Sequence, residues 1–292
     1  MADISIAFAL CSLFIYGGTQ LVAKVVVRQF DSTSMAAVNF LTSIPIYSFI
    51  FVCALFLWND YLNNLEYVFY GLIGATTARG GYYIYLTALE KGSVTMVGSI
   101  TAAFPAITAP IAVMFLGEDL GALNALGICM IIAGMIALSY SHGRSTEGTG
   151  FSRAALILSV SVLFIWGFGG VFIKLALDGL PLIAYLGLYV FILPPVAFAY
   201  LKHKGATRKV LLPMWSVPVI GAIVVTELWQ LGYFAETSAI STGSASIVFP
   251  LINAYPIVTI VGARLFLDER LSRKEWAILT VVVLGILLSS LA

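Results

Sequence analysis

The chain has 292 residues, of which 61% are hydrophobic and 10% are charged, and its mean hydropathy is +1.02. A soluble domain carries about 25% charged residues, so this chain has too few charges to cover a water-facing surface. The formal net charge of +1 gives no reason to expect nucleic acid as a partner. The composition therefore predicts an integral membrane protein rather than a soluble domain.

Apolar runs of the length needed to cross a bilayer recur along the whole chain. A helical span needs about 20 apolar residues, and about ten stretches meet that criterion. In chain order they are 4–23, 36–58, 66–89, 94–116, 123–140, 153–175, 182–201, 211–235, 245–267 and 276–291. The first lacks a basic leader and a cleavage site, so we expect a retained helix rather than a signal peptide. The three cysteines lie inside these runs and are expected to be buried thiols.

The second half of the sequence repeats the first. Eleven residue pairs between 88 and 285 are identical at a constant offset of 151, among them Pro105 with Pro256. Further upstream, 13–17 resembles 163–167 at an offset of 150. The polar stretch 141–152 separates the halves, which predicts repeats at 1–140 and 153–292. Because each half holds five predicted helices, the second enters the membrane from the opposite side. The predicted fold is all-α, with about ten transmembrane helices in two inverted five-helix repeats.

The basic residues predict how the chain is oriented. Of the 15 Lys and Arg residues, Arg79 lies within a predicted span, Lys174 lies on one side of the membrane, and the rest lie on the other side. Cytoplasmic loops are enriched in Lys and Arg. We therefore expect the 141–152 linker in the cytoplasm and both termini outside, in a multi-pass protein of the plasma (inner) membrane.

Two charged residues lie midway along predicted spans, Arg79 in the third and Glu227 in the eighth. An ionisable residue at a helix centre costs about 2.5–3.5 kcal/mol on insertion scales, so it normally faces a cavity or a partner. The repeat offset pairs Arg79 with Gln230 and Glu227 with Thr76. One interpretation is a polar cavity at the repeat interface, where transporter sites lie. The other is a buried Arg79–Glu227 ion pair that only holds two helices together.

Aromatic and amide side chains near these charges complete the predicted substrate-binding set. Helical spacing puts several of them on the faces of the charges, and a ring face beside a carboxylate could hold an ammonium group. The predicted set is Arg79, Glu227, Gln230, Tyr82, Tyr83, Trp166, Tyr16, Tyr233 and Asn253. Membrane-interface belts, packing and helix–helix hydrogen bonds are the alternative roles of these aromatic and amide residues.

Prolines interrupt two predicted spans at repeat-equivalent places. Pro105 and Pro110 lie in the fourth span, and Pro250 and Pro256 lie in the ninth. Proline removes a backbone hydrogen bond and kinks a helix. Such breaks are compatible with a hinge or a carbonyl contact, and equally with a curved helix that packs well.

Sequence patterns typical of enzymes are missing. The chain has no HExxH, GxSxG or P-loop pattern, and both histidines, His142 and His203, fall in predicted loops. We therefore predict that it is not an enzyme, with no catalytic residues, no cofactor and no metal site.

The repeated motifs resemble the EamA family of the drug/metabolite transporter superfamily. The resemblance is carried by an aromatic-Gly pair before a lysine, at Tyr16–Gly17 and Trp166–Gly167, and by the Pro…Phe-Leu-Gly-Glu run that ends at Glu118. In the second copy Asp268 replaces the usual glycine. The resemblance implies a secondary transporter with a central cavity between the repeats and a rocking, alternating-access cycle.

Together these observations predict a transporter of a small polar metabolite that bears an amine or is zwitterionic, as an amino acid is. Glu227 would hold the amine or a coupling proton, and Arg79 would hold a carboxylate. The expected partners are this small molecule and membrane lipid, with protons as the candidate coupling ion and a monomer or homodimer as the assembly. Three alternatives stay open: an exporter of drugs or lipophilic metabolites, a passive channel, and a lipid-carrier flippase.

Overall fold

The computed structural model describes residues 2–26, 31–58, 60–92, 94–145, 152–205, 217–266 and 273–290. In the first half these residues form α1 (Ala2–Val26), α2 (Ser32–Leu57), α3 (Leu65–Lys91), α4 (Val94–Thr101), α5 (Pro105–Phe115) and α6 (Ala122–Ser145). In the second half they form α7 (Arg153–Gly179), α8 (Leu182–Gly187), α9 (Tyr189–His203), α10 (Val217–Thr242), α11 (Ala245–Ile252), α12 (Pro256–Phe266) and α13 (Arg273–Ser290).

These helices confirm the predicted all-α membrane fold. Each predicted span corresponds to one helix or to two consecutive ones, because α4 with α5, α8 with α9, and α11 with α12 each make a broken span. The predicted start of the eighth span at 211 lies outside the described residues. By length and composition alone, six spans in the described part of the chain could cross a membrane, and α3 and α10, which carry Arg79 and Glu227, are not among the six.

Proline and backbone geometry explain the breaks in two of the spans. Pro105 begins α5 and Pro256 begins α12, each after a non-helical turn of three residues. Proline is well tolerated in the first turn of a helix, where its missing N–H removes no hydrogen bond. The breaks turn Phe104 and Tyr255, which are repeat equivalents, toward the centre of the molecule.

The helices pack with an approximate twofold symmetry that exchanges the repeats. The closest packed pairs are α3 with α7, α1 with α10, and α6 with α13. Exchanging the two repeats converts the first pair into the second and leaves the third unchanged. This is the packing that an inverted repeat requires.

The outer surface of the helices is apolar, as lipid contact requires. Phe49, Phe56 and Phe115 are 70%, 87% and 76% exposed, and such apolar surface would be unfavourable in water. Cys11 and Cys129 share this outward exposure. The expectation that the cysteines are buried is therefore wrong for these two, because an apolar run in a membrane helix has a lipid face as well as a core face.

The Phe-Leu-Gly-Glu motif ties the repeats together at one end. Gly117 has a φ of 66°, in the left-handed region that favours glycine. The turn directs Glu118 to the start of α11, where its carboxylate accepts hydrogen bonds from the backbone N–H groups of Ala245 (2.7 Å) and Ser246 (2.8 Å). A carboxylate at a helix N-terminus satisfies free N–H groups and interacts favourably with the helix dipole. Its repeat equivalent, Glu269, lies outside the described residues.

Candidate functional site

A cavity of about 70 Å³ lies between the two repeats. Its walls come from α1, α3, α7, α10, α11 and the two proline breaks. The lining residues are Tyr16, Ala78, Phe104, Trp166, Gly169, Gly170, Ile173, Trp229, Tyr233, Glu236, Phe249, Asn253 and Tyr255. The lining is therefore mostly aromatic, and it is contributed by both halves of the chain.

Glu236 is the acidic group of this cavity. It is 8% exposed, and the Tyr16 hydroxyl donates to its Oε2 atom over 2.6 Å. The ring of Tyr16 lies 4.8 Å from that of Trp229 and 5.9 Å from that of Tyr255, measured between ring centroids. Aromatic faces attract cations, most strongly when water is excluded. A carboxylate among such faces is chemically suited to a protonated amine.

Two glycines let the aromatic rings of the opposite repeat reach this position. A Cβ atom on Gly232 would lie 2.6 Å from the Tyr16 ring, and one on Gly81 would lie 2.2 Å from the Trp166 indole nitrogen. These two pairs are repeat equivalents. The close approach of α1 to α10 and of α7 to α3 therefore depends on the missing side chains, and it brings Tyr16 and Trp166 into the cavity wall.

Arg79 lies at the twofold axis, beside the cavity. It is 4% exposed, and its Nη2 atom donates to the Oε1 atom of Gln230 over 3.0 Å. Since Gln230 is the repeat equivalent of Arg79, a contact between them is possible only near the axis that relates the repeats. The Nη1 atom donates to the Oδ1 atom of Asn39 over 2.9 Å, and the Tyr83 hydroxyl donates to the same oxygen over 3.2 Å.

Three tyrosine rings surround the guanidinium group of Arg79. Its Cζ atom lies 5.6 Å from the ring centroid of Tyr189, 5.9 Å from that of Tyr82 and 6.0 Å from that of Tyr47. Tyr189 also connects this cluster to the cavity, because its hydroxyl donates to the Tyr233 hydroxyl over 2.5 Å. This axial cluster therefore shares a wall with the aromatic cavity. Its members are Arg79, Gln230, Asn39, Tyr83, Tyr47, Tyr82 and Tyr189.

Glu227 does not pair with Arg79. In the part of the chain that is described, the ion pairs within 4.0 Å are Lys174–Asp178 and Lys204–Glu90. Glu227 is half-buried, and its Oε1 atom has no hydrogen-bond partner. Glu227 is not among the residues that line the cavity, and its repeat equivalent, Thr76, is exposed. The structure thus does not contain the Arg79–Glu227 ion pair that was one of the two interpretations.

Comparison with known proteins identifies the family. The model of the EamA-like transporter family matches residues 3–140 and again residues 153–291. The chain belongs to the EamA-like transporter family. It is thus a multi-pass membrane protein of a transporter family, as the sequence motifs predicted.

One relative by sequence and one solved structure are also similar to this chain. The uncharacterized protein MJ1333.1 of Methanocaldococcus jannaschii is 28% identical over 141 residues, which are 47% of this chain and 97% of that relative. The relative therefore has the length of one EamA-like repeat. A solved crystal structure superposes on this chain with a TM-score of 0.72 and 13% sequence identity. The superposition covers 97% of this chain and 95% of the chain in that crystal structure. At that identity the likeness shows the fold alone.

The predicted site residues of this EamA-like protein fall into three groups. Tyr16, Trp166, Tyr233 and Asn253 line the cavity. Arg79, Gln230, Tyr82 and Tyr83 lie in the axial cluster beside it. Glu227 lies in neither group. That any of these residues binds substrate stays a prediction.

The predicted site residues did not include Glu236 or its neighbour Trp229 in the cavity wall. Glu236 lies nearer the end of α10 than Glu227 does, so hydropathy alone favours an interfacial place for it. The repeat offset pairs Glu236 with Tyr85, and the structure shows that both positions are buried. The sequence alone gives the pairing but not the burial.

Proposed function

We propose that this EamA-like protein is a secondary transporter that moves a small metabolite with a protonated amine by alternating access. The single observation that supports this most is the buried Glu236 carboxylate, held by Tyr16 in an aromatic cavity between inverted repeats. In inverted-repeat transporters the substrate lies at the repeat interface, and the repeats rock around it. Glu236 would neutralise the amine, and the rings of Tyr16, Trp166 and Trp229 would add cation–π attraction.

The two ends of the helix bundle support a gated pathway because they differ. At the end where α2 begins and α3 and α9 finish, Lys204 contacts Glu90 over 2.8 Å, and Glu90 accepts from the backbone N–H of Ser32. The Tyr200 hydroxyl donates to Ser32 over 2.8 Å. Burial alone would raise the pKa of the Glu90 carboxyl, but the hydrogen bonds from Lys204 and Ser32 outweigh it and lower that pKa below its usual value.

The opposite end, where α1 begins and α7 and α10 finish, contains an open space of about 520 Å³. Its polar lining includes Glu118, Lys174, Asp178 and Ser241. Lys174 pairs there with Asp178 of its own helix, over 2.7 Å, rather than across the repeats. The Lys204–Glu90 and Tyr200–Ser32 contacts thus join helices at the first end (the tied end), whereas the second end (the open end) contains this open space even though Glu118 joins the repeats beside it, as expected of one state in an alternating-access cycle.

The orientation and location follow the basic residues. We place the protein in the plasma membrane, with the tied end, which carries Lys91, Lys202 and Lys204, in the cytoplasm and the termini outside. A membrane-impermeant thiol reagent would label a cysteine added after residue 292 in intact cells if this orientation holds. Labelling of that cysteine only after the membrane is permeabilised would show the opposite orientation.

Transport by purified protein in lipid vesicles tests the function directly. A panel of labelled amines, amino acids and neutral lipophilic compounds would be offered to wild type, Glu236→Gln and Glu227→Gln, with and without a pH gradient. We expect uptake of an amine to fall at least about tenfold in Glu236→Gln, because a buried charge partner contributes about 2–5 kcal/mol. Glu227→Gln is the matched control from the same helix and should stay within about threefold of wild type.

The other outcomes of this experiment separate the alternatives. An exporter of drugs or lipophilic metabolites, which the aromatic lining also fits, would move neutral compounds and tolerate Glu236→Gln. A carrier gives saturable flux and counterflow, whereas a passive channel gives neither. Dependence of the uptake rate on the pH gradient would establish protons as the coupling ion, and lipid scrambling without solute uptake would favour a flippase.

A further inference from the structure

The axial cluster contains a positive charge that nothing in the described chain neutralises. Arg79 is 4% exposed, and its hydrogen-bond acceptors are the neutral amide oxygens of Asn39 and Gln230. Taking a guanidinium group out of water costs several kcal/mol unless an anion compensates it. Protein interiors rarely contain such an unpaired charge unless a ligand completes the site.

Hydrogen-bond donors without partners are concentrated in this cluster. In the part of the chain that is described, the Nε atom of Arg79, the Nε2 atom of Gln230 and the hydroxyl of Tyr47 are buried and have no hydrogen-bond partner. All three can donate a proton, and they converge on one another, because the Tyr47 oxygen lies near the side chains of Arg79 and Gln230. Tyr47 and Gln230 both lie against Arg79, the first through its ring at 6.0 Å and the second through a 3.0 Å hydrogen bond. The other buried atoms of the described residues without a partner are the hydroxyls of Ser99, Thr226 and Ser246 and the Oε1 atom of Glu227. The three groups at Arg79 can all donate, as an anion requires.

We infer that Arg79, Gln230 and Tyr47 form an anion-binding subsite that takes a carboxylate. The planar guanidinium fork matches a carboxylate in two parallel hydrogen bonds, and the amide and the hydroxyl supply further donors. A neutral ligand would leave the charge of Arg79 unneutralised, and a cationic ligand would add a second positive charge beside it. The subsite is separate from the carboxylate of Glu236, and the Tyr189–Tyr233 pair lies between them.

The spacing of the two subsites constrains the substrate class. Gln230 and Glu236 are six residues apart on α10, which is about 9 Å along a helix axis. A single molecule that uses both subsites needs its amine and carboxylate several bonds apart, as in an ω-amino acid. That the carboxylate belongs to the transported substrate rests on the proposed function; the anion subsite itself does not.

Ligand-induced thermal stabilisation of the purified protein tests the subsite, since a ligand that binds the folded state raises the Tm. The probes are propionate, chloride, propylammonium and 6-aminohexanoate, with propionamide as the neutral control at matched ionic strength. We expect propionate to raise the Tm of wild type and not that of Arg79→Gln. Arg79→Lys should keep part of the shift, and Tyr47→Phe should weaken propionate binding about threefold or more.

The control Lys174→Gln removes a positive charge from the open end of the bundle and should leave the propionate shift unchanged. A merely structural Arg79 would lower the Tm of Arg79→Gln without changing the increment that propionate adds. That result overturns the subsite, and so does the lack of any anion-dependent shift in wild type. If Arg79→Gln does not fold, unchanged propionate affinity in both Arg79→Lys and Tyr47→Phe overturns it instead.

The remaining probes separate this inference from the proposed function and identify the source of the anion. A propylammonium shift that survives Glu236→Gln, together with a propionate shift that needs Arg79, rejects the amine site and supports the anion subsite. If the carboxylate is the substrate's own, 6-aminohexanoate should bind at least about tenfold tighter than either half. Each of Arg79→Gln and Glu236→Gln should remove that advantage. If 6-aminohexanoate binds no tighter than propionate, while the propionate or chloride shift still requires Arg79, the subsite holds a free anion from solution.

Discussion

The two repeats share their packing and differ in their chemistry. In the first repeat the hydroxyl of Thr108 donates to the backbone oxygen of Gly167 over 2.7 Å. In the second, the equivalent Thr259 donates to the backbone oxygen of Gly17 over 3.1 Å. Both bonds connect a helix that follows a proline break to the first helix of the other repeat. The contacts that hold the repeats together are thus present in two symmetrical copies.

The side chains that line the site do not follow that symmetry. Tyr16 hydrogen-bonds to Glu236, whereas at the equivalent place Trp166 packs against Tyr85 at 5.8 Å between ring centroids. On the axis, Arg79 is opposite Gln230. A symmetrical scaffold can exchange two equivalent states, while a ligand with distinct chemical groups needs a site without symmetry. On the proposed function, the symmetrical backbone interface would rearrange during the transport cycle, and the unsymmetrical side chains would select the ligand.

The largest effect on the shared packing is expected at Gly17. A Cβ atom there would lie 2.4 Å from Val258 Cβ and 2.9 Å from the backbone oxygen of Tyr255, whereas one on Gly18 would have no atom within 4 Å. Gly17→Ala should therefore lower the free energy of unfolding by about 1–3 kcal/mol. Gly18→Ala should be neutral or raise it by up to about 1 kcal/mol. Denaturation in mixed detergent micelles measures both, and equal values would argue against the tight α1–α12 contact.

The next largest effect is expected on amine affinity at Tyr16, whose repeat equivalent is Trp166. Tyr16→Phe removes the hydroxyl that donates to Glu236, and a hydrogen bond to a charged group contributes about 1.5–3 kcal/mol. We expect amine affinity to fall about tenfold. Trp166→Phe, at the equivalent place, removes an indole that donates to the backbone oxygen of Ala78 over 3.3 Å, and it should cost less than about threefold. Titration with a labelled amine compares the two variants, and similar losses would show that the site treats both repeats alike.

The equivalent hydrogen bonds of Thr108 and Thr259 should contribute small and similar amounts to the free energy of unfolding. Hydrogen bonds between membrane helices average about 0.6 kcal/mol, so Thr108→Val and Thr259→Val should each lower the free energy of unfolding by about that amount. The two bonds share no partner, so the double variant should lose the sum of the two single losses. A cost confined to one repeat would contradict the symmetry of the scaffold.

The smallest effect is expected at the tied end of the bundle. The Lys204–Glu90 pair is partly exposed, and many such pairs contribute nothing measurable to stability. Because the folded pKa of Glu90 is lowered, the contribution is present above the usual carboxyl pKa and is lost as the pH falls through the folded value. Glu90→Gln should flatten this part of the stability–pH curve. An unchanged slope in the variant would show that the pair does not stabilise the tied end.

Much of the scaffold could be predicted from the sequence, because it depends on local patterns. Apolar runs of sufficient length predicted the spans, and Pro105 and Pro256 indicated where two of them break. The repeat offset of 151 also paired Arg79 with Gln230, which the structure brings into contact at the axis. Two residues that an internal twofold axis relates can touch only near that axis. Polar residues at equivalent positions of the two repeats, such as Arg79 and Gln230, therefore indicate a polar cluster on the axis.

The composition of the cavity could not be predicted in the same way. Tyr16 and Glu236 are 220 positions apart, and their contact depends on how closely α1 approaches α10 over Gly232. The direction of Glu227 likewise depends on which face of α10 meets the other repeat. Helical spacing shows which residues share a face, but the inward face is decided by packing between repeats.

Equilibrium binding of a small primary amine tests the Glu236 site, and tryptophan fluorescence can follow it, since Trp166 and Trp229 both line the cavity. The measurement compares wild type, Glu236→Gln and Glu227→Gln at one pH and ionic strength. We expect Glu236→Gln to weaken binding at least about tenfold and Glu227→Gln to stay within about threefold of wild type. The reverse order, or binding that neither substitution changes, would contradict an amine site at Glu236.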